Sequence, residues 1–271
     1  MAEVVFSFAA LMCLAPMLAL PYRGLTGEDA AALERPRRFW AALGLAVAGP
    51  AAWSLTHLLG RWDGGLSNTL WLANTVCLVM FAGLCLTATW AWRLSALLGP
   101  YVAWVGLVAT ITAAWPGRAL QGGAPGWWVD LHIAVSVVTY ALVTLAAVAS
   151  LAAFLQQRAL KTKRINRLTR FLPPVVESDR LQFRLLAASE AILAAGLATG
   201  MAVLHFEQGV LFRTDHKTLF SVAAFCVIAA LLVAHTRWGL GGRMAARLVL
   251  IAYLLLTLAY PGVKFVTDVL K

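Results

Sequence analysis

The chain contains few charged residues. Only 13% of its 271 residues are Asp, Glu, Lys or Arg, whereas 61% are hydrophobic. A soluble domain of this size has too little interior to bury that much apolar surface, so a soluble globular protein is excluded. Several apolar stretches are long enough to cross about 30 Å of hydrocarbon, which takes roughly 20 helical residues. The composition therefore predicts a polytopic α-helical membrane protein.

Cysteine is scarce too, and its positions disfavour thiol–disulfide chemistry. The four cysteines lie in apolar stretches and form no CxxC pair: Cys13, Cys77, Cys85 and Cys226. Cys77 and Cys85 are separated by about 12 Å along one helix, which is too far for a disulfide. We therefore expect all four to be small buried hydrophobic side chains.

The motifs of several common enzyme classes are missing as well. The chain has no Walker loop, HExxH, GxSxG or paired-carboxylate arrangement. Glu190 is the only acidic residue well inside an apolar stretch. We expect it to be a partnered structural carboxylate, and a proton path is the alternative. No catalytic activity is predicted for this chain.

Eight membrane spans are predicted from the apolar stretches, at about 2–22, 39–60, 68–90, 94–115, 128–157, 182–206, 218–236 and 244–267. The first span lacks the positive start of a secretory signal, so we expect it to be retained. The first, third, fifth and seventh connections hold fourteen Lys or Arg residues, and the others hold four. By the positive-inside rule, both termini face outward. We therefore predict an all-α bundle whose net charge of +10 reflects topology and not nucleic-acid binding.

Histidines mark where chemistry could occur. Four of the five lie at the outer ends of different apolar stretches: His57, His132, His205 and His216. An imidazole in or beside lipid is energetically expensive and tends to mark a functional site. It is also the commonest protein ligand for metals and a frequent ligand of haem iron. No motif supports His57 or His205, and we expect these two to be capping or interface residues.

A polar stripe descends the fifth span from its outer end. His132, Ser136 and Tyr140 are spaced four residues apart and so share one helix face. Such a stripe faces other helices or a cavity. Two interpretations remain open at this point: hydrogen-bonded packing between helices, and an axial metal ligand with the residues that orient it.

The seventh span opens with Asp215, His216 and Lys217. Alone, this segment predicts a helix start with Asp215 as N-cap. With His132 on the same membrane face, it favours a shared site.

The inner end of the bundle offers two further features. His235 follows His216 by nineteen residues, about 28 Å along a helix, so the two cannot bind one iron. It is either a second, inner-face site or an ordinary interfacial residue. From Arg158 to Arg170, basic and apolar residues alternate. This segment anchors the chain by positive-inside charge, or it contacts an anionic lipid or a partner protein.

Four segments resemble the cytochrome c assembly (CcsA/CcmC-like) family of integral membrane haem-handling proteins, and within it the YpjD/HemX-like branch. They are LHIAVSVVTYALVTLAAVASL (131–151), LPPVVESDRLQFRLL (172–186), DHKTLFSVAAFCVIAALLVAHTR (215–237) and LLTLAYPGVKFV (255–266). We accordingly divide the chain into an N-terminal four-span half, 1–126, and a C-terminal four-span half, 127–271, which carries the resemblance.

The resemblance implies a haem b-binding protein of the bacterial inner membrane that assists haem handling, haem delivery or cytochrome c biogenesis. His132 takes the place of an outer-face axial ligand, and His235 that of a histidine on the inner side. We expect haem between the fifth and seventh spans, with His216 as its second axial ligand. The residues contacting these ligands or the haem propionates would be Ser136, Tyr140, Asp215 and Lys217. Implied partners are membrane lipids, haem, and proteins of cytochrome c maturation or haem biosynthesis. Two alternatives are a membrane scaffold or regulator without haem chemistry and a small-solute transporter. Against the transporter, no pair of Gly/Pro-broken helices is visible.

Overall fold

The computed structural model describes residues 2–26, 35–59, 65–115, 125–210, 213 and 215–268, and these contain helices and no β-strand. The α-helices are α1 (Ala2–Met12), α2 (Ala15–Thr26), α3 (Arg38–Leu59), α4 (Leu66–Thr87), α5 (Ser95–Thr112), α6 (Gly126–Thr162), α7 (Arg167–Phe171), α8 (Val175–Gln208), α9 (His216–Trp238), α10 (Gly242–Thr257) and α11 (Val263–Asp268). A 3-10 turn, Ala91–Leu94, precedes α5, and a π-helical turn, Leu258–Gly262, joins α10 to α11.

Eight of the described helical stretches are long and apolar enough to cross a membrane. They are Glu3–Pro21, Arg38–Leu58, Leu66–Thr87, Ala91–Thr112, Gly126–Thr162, Val175–Gln208, His216–Trp238 and Gly242–Val266. Each corresponds to one predicted span. The prediction of an all-α bundle with eight spans is confirmed.

The first span is kinked where it meets α3. Pro16 has no N–H to donate to the carbonyl of Met12, so the helix breaks between α1 and α2. At this break α3 approaches closely. A Cβ atom on Gly49 would stand 2.7 Å from Cys13 Cβ and 2.9 Å from the Ala10 carbonyl oxygen. Only glycine allows the two backbones to lie this near each other.

The fifth span, α6, has 37 residues and is about 55 Å long, so it extends beyond the hydrocarbon. It ends at Lys163, which adopts the left-handed conformation with φ 53°. The separate helix α7 follows, because Asn166 and Thr169 form a reciprocal capping box at its start.

The connection between α7 and α8 is fixed to the inner ends of α5 and α6. The Arg93 guanidinium donates to the carbonyl oxygens of Arg170 at 3.0 Å and Leu172 at 2.8 Å, and also to that of Phe171. The Gln156 amide donates to the Leu172 carbonyl at 3.0 Å. These bonds satisfy backbone acceptors that the end of α7 leaves without helical partners.

Helix α6 lies at the centre of the bundle. It packs mainly against α8 and also against α4 and α10, so the α1–α5 half and the α8–α10 layer meet on it. In the most apolar segment of α6, 83% of the residues are buried. The corresponding segments of α8 and α9 have only 22% and 17% of their residues buried. Much of the surface of α8 and α9 is therefore left to face lipid or cavities.

Two expectations about single residues are wrong. Cys226 is exposed and not buried, because it lies on α9, most of which is not covered by other helices. Glu190 has no structural partner: both carboxyl oxygens are buried, and neither has a hydrogen-bond partner among the described residues.

Candidate functional site

Two cavities open between the outer ends of α6, α8 and α9. The inner cavity, of about 70 Å³, is lined by all three residues of the predicted polar stripe: His132, Ser136 and Tyr140. The outer cavity, of about 440 Å³, is lined mainly by α8 and α9. His132, Lys217 and Ser221 line both. His132 therefore lies where the two cavities adjoin.

Nδ1 of His132 is engaged by α8. It lies 3.1 Å from the hydroxyl oxygen of Thr199, and that hydroxyl lies 3.0 Å from the Gly196 carbonyl oxygen, to which it can donate. When Thr199 donates to Gly196, its oxygen accepts from Nδ1–H, and the lone pair of the neutral ring is then on Nε2. Metal-binding histidines commonly have this arrangement, with the other nitrogen held by an oxygen atom.

A glycine of α8 holds the His132 ring in position. A Cβ atom on Gly200 would stand 3.0 Å from Cε1 of His132 and 3.7 Å from its Nε2. The ring therefore lies directly on the backbone of α8, and Thr199, the residue before Gly200, supplies the hydrogen bond. Steric contact and hydrogen bonding together fix the orientation of the imidazole.

Charged groups surround the outer cavity. Lys217 and Arg213 contribute two cations to its lining, and Glu207 and Asp215 contribute two carboxylates. Lys217, like His132, lines both cavities, so the two residues belong to the same site. The cavity thus offers cations beside an imidazole.

Asp215 begins α9. Its carboxylate accepts a hydrogen bond from the backbone N–H of Thr218 at 2.8 Å, as expected of an N-cap. Burial raises the pKa of the Asp215 carboxyl, but hydrogen bonds from Thr218 and the charges of Lys217 and Arg213 outweigh burial. The pKa therefore lies below its ordinary value, and the group is anionic at neutral pH.

His216 is placed differently from His132. Its side chain is exposed, and its ring stacks on that of Phe220 with 6.5 Å between centroids and 29° between planes. It is not among the described residues that line either cavity. The structure therefore gathers Ser136, Tyr140 and Lys217 around His132, with Asp215 at the outer cavity, and leaves the His216 ring outside this group.

His235 lies at the other end of α9. Its Nδ1 is 2.8 Å from the Leu240 carbonyl oxygen, which can only accept, so Nδ1 carries a hydrogen. The ring stacks on Phe183 with centroids 3.4 Å apart and planes at 14°. Like His132, this histidine has one nitrogen engaged by an oxygen atom, but it belongs to a separate part of the bundle.

The other two outer histidines, His57 and His205, lie beside aromatic rings and are not among the described residues that line the two cavities above. The ring of His57 stacks on Trp53 with centroids 4.5 Å apart, and its Nδ1 lies 2.9 Å from the Trp53 carbonyl oxygen. His205 is exposed in the last turn of α8, with its ring 6.3 Å from that of Phe206. These surroundings are those of interface residues.

Sequence reasoning missed a ring of tyrosine hydroxyls behind the inner cavity. The Tyr140 hydroxyl lies 3.3 Å from that of Tyr101 and 3.1 Å from that of Tyr253, which donates to Tyr101 at 2.9 Å. Thr257 adds a fourth hydroxyl, 3.4 Å from Tyr140. The four-residue spacing of Tyr253 and Thr257 could have indicated that these two hydroxyls share a helix face. The position of Tyr101 gave no such indication, because it is an isolated tyrosine in an apolar span.

Comparisons with known proteins agree with this architecture. The chain matches the family described as "Cytochrome C assembly protein" over residues 52–271. It is 61% identical over 268 residues to an uncharacterized 28.8 kDa protein, in a nifR3-like 5' region, of Azospirillum brasilense, covering 99% of this chain and 98% of that protein. No solved structure gives a significant match.

A more distant relative is the inner membrane protein YpjD of Escherichia coli K12. The two are 28% identical over 143 residues, which is 52% of each chain. With its eight apolar helices, this chain is a multi-pass inner membrane protein. The family match begins at residue 52, inside α3, and so extends beyond residues 127–271 into the N-terminal half. The chain belongs to the cytochrome c assembly family.

Proposed function

We propose that this protein binds haem b at the outer cavity and handles haem during cytochrome c biogenesis. The observation that carries the proposal is His132: its Nδ1 is engaged by Thr199 of α8, and the residue lies where two cavities adjoin. Family membership supports haem as the ligand. Proteins of cytochrome c maturation or haem biosynthesis would be its partners.

The residues of the outer cavity fit the chemistry of haem b. The group has an apolar ring, an iron atom and two carboxylates. The volume of about 440 Å³ lies within the range of roughly 300–1,000 Å³ typical of ligand sites. Apolar contacts come from Leu197, Met201 and Val222, and cations for the two propionates from Lys217 and Arg213.

Each residue of the site has a distinct part in this proposal. His132 would ligate the iron, and Thr199 and Gly200 would hold its ring. Ser136 and Tyr140 close the inner cavity below it, and the hydroxyl ring behind Tyr140 satisfies that side chain within the membrane. The bound group would supply an iron whose electron transfer and reactivity depend on its axial ligands. Binding it does not require catalysis by the protein.

The second axial ligand is proposed to be His216. Its exposed ring would have to leave Phe220 and turn toward the outer cavity, which adjoins Asp215 and Lys217 on either side of it. His235 is proposed as the ligand of a separate inner site, because its Nδ1 is engaged by the Leu240 carbonyl oxygen, as expected of a metal-binding histidine. The two proposals predict different spectra for the corresponding variants.

The test is an absorbance spectrum of the purified protein, oxidised and dithionite-reduced, after expression with ample haem. Two imidazole ligands should give a low-spin Soret band and sharp α and β bands. His132→Ala should lose the outer haem. His216→Ala should convert it to a five-coordinate, high-spin form. His205→Ala is the matched control, because it removes an exposed outer histidine that is not proposed as a ligand.

Three results would count against the proposal. A colourless protein after haem supplementation would favour the scaffold. A His132→Ala spectrum identical to wild type would exclude His132 as a ligand. A high-spin wild-type spectrum unaffected by His216→Ala would exclude His216 and leave His132 as the single protein ligand. His235→Ala, examined in parallel, should remove a second haem only if the inner site exists.

A further inference from the structure

A third cavity, at the opposite end of α6 from His132, is lined by basic residues. It has a volume of about 370 Å³ and lies between the last turns of α6 and the first turn of α10. Its lining residues are Phe154, Gln157, Arg158, Lys161, Thr162 and Arg243. We propose that this cavity binds a phosphate group, supplied by an anionic lipid of the inner leaflet or by a soluble phosphate compound.

The α6 residues of this cavity form one helix face. Phe154, Gln157, Arg158, Lys161 and Thr162 are spaced i, i+3, i+4, i+7 and i+8, the pattern of a single stripe. The stripe changes from aromatic to cationic within one turn. The predicted hydrocarbon edge lies at about residue 157. The aromatic ring is thus at the depth of acyl chains, and the cations are at the depth of headgroups.

Among the described residues, the walls of the cavity carry only positive charge. Arg158, Lys161 and Arg243 contribute three positive charges, and none of the described lining residues is acidic. Asp179, which lies beside Gly241, accepts a hydrogen bond from Gln182 at 3.0 Å and is not a lining residue. Three like charges around one space repel each other unless an anion lies between them. A phosphate group supplies that anion and accepts several hydrogen bonds.

The start of α10 adds to the positive potential. Gly241 is the N-cap of α10 and has no side chain that could accept from the amides of the first turn, whose partial positive charge lies at this end of the helix. Gly242 has φ +64°, and a Cβ atom there would stand 3.1 Å from Oε1 of Gln157. Glycine at this position therefore lets α10 begin directly against α6, with Arg243 facing the cavity.

An anionic lipid would contact both the basic and the aromatic residues of this cavity. Its phosphate would meet the cations, and the first part of its acyl chains would lie against Phe154. The cavity is at the end of the bundle that the charge pattern places at the cytoplasmic leaflet. Basic pockets between helices on that side are known to bind anionic headgroups. A soluble phosphate compound would use the cations alone.

The experiment is a binding titration of full-length protein in mild detergent, followed by mass spectrometry of the intact complex. Phosphatidylglycerol, phosphatidylcholine and inorganic phosphate are the three probes. Arg158→Gln, Lys161→Gln and Arg243→Gln should each weaken anion binding by about fivefold, the contribution of one basic residue near an anionic surface. The control is Arg164→Gln, which removes an exposed charge of the same segment outside the cavity.

The probes distinguish the two phosphate sources. Saturable binding of phosphatidylglycerol, weakened by Phe154→Ala and not displaced by millimolar inorganic phosphate, assigns the site to lipid. Displacement by inorganic phosphate, with no effect of Phe154→Ala, assigns it to a soluble phosphate compound. The proposal is overturned if the wild-type protein shows no saturable binding of phosphatidylglycerol or inorganic phosphate. It is also overturned if Arg164→Gln weakens binding as much as the cavity variants do. The salt dependence of wild-type binding gives a second test that needs no variant.

Discussion

Replacing Thr199 by valine tests the role assigned to the His132 ring. The Thr199 side chain is 9% exposed, and valine has a similar shape without the hydroxyl. The Gly196 carbonyl keeps its helical partner, so the main loss is the hydroxyl beside Nδ1 of His132. A buried polar group that loses a hydrogen-bond partner costs about 1–3 kcal/mol. Removing a residue that orients a metal ligand typically lowers affinity by about 10- to 100-fold, and we expect that range for haem.

The assay is a haem titration of the apo-protein, followed by the Soret band, with Thr139→Val as matched control. Thr139 lines the inner cavity together with His132. Its hydroxyl donates to the Val135 carbonyl at 2.9 Å. The control should keep the wild-type affinity. If Thr199→Val also binds haem as tightly as wild type, the hydrogen bond does not orient an iron ligand, and the reasoning about the tautomer fails.

Other substitutions give further predictions. Gly200→Ala should displace the His132 ring and weaken haem binding, measured by the same titration; unchanged affinity would contradict the steric argument. Gly49→Ala should destabilise the bundle by about 1–3 kcal/mol by overpacking, whereas Gly44→Ala, with open space around it, should be tolerated in thermal unfolding. Asp215→Ala should lower stability by about 1 kcal/mol at pH 7. Because the pKa of Asp215 is lowered in the folded state, this difference should disappear as the pH falls through that pKa.

The number and order of the spans could be predicted because hydrophobic length is a local property of the chain. The details that depend on backbone geometry could not. The break after Met12 needed Pro16 to be weighed against a long apolar run, and the end of α6 depends on Lys163 adopting a left-handed conformation. Neither feature alters the hydropathy from which spans are predicted.

The candidate site was only partly accessible to sequence reasoning. The four-residue spacing of His132, Ser136 and Tyr140 indicated a common face, and all three line one cavity. The partner of the His132 ring was not predictable, because Thr199 lies 67 residues away on another helix. Burial and the direction of a ring depend on packing between helices, which no spacing within one span encodes.

The outer haem site and the phosphate site can be tested independently because they lie at opposite ends of α6. His132 and Lys161 are 29 residues apart on one continuous helix, about 44 Å along its axis. Residues separated by more than about 10 Å and sharing no partners usually act additively. Arg243→Gln should therefore leave haem affinity unchanged, and Thr199→Val should leave phosphate binding unchanged. If either variant weakens the binding of both haem and phosphate, α6 has more than one packing arrangement. Binding at the two ends of the bundle is then coupled through this helix.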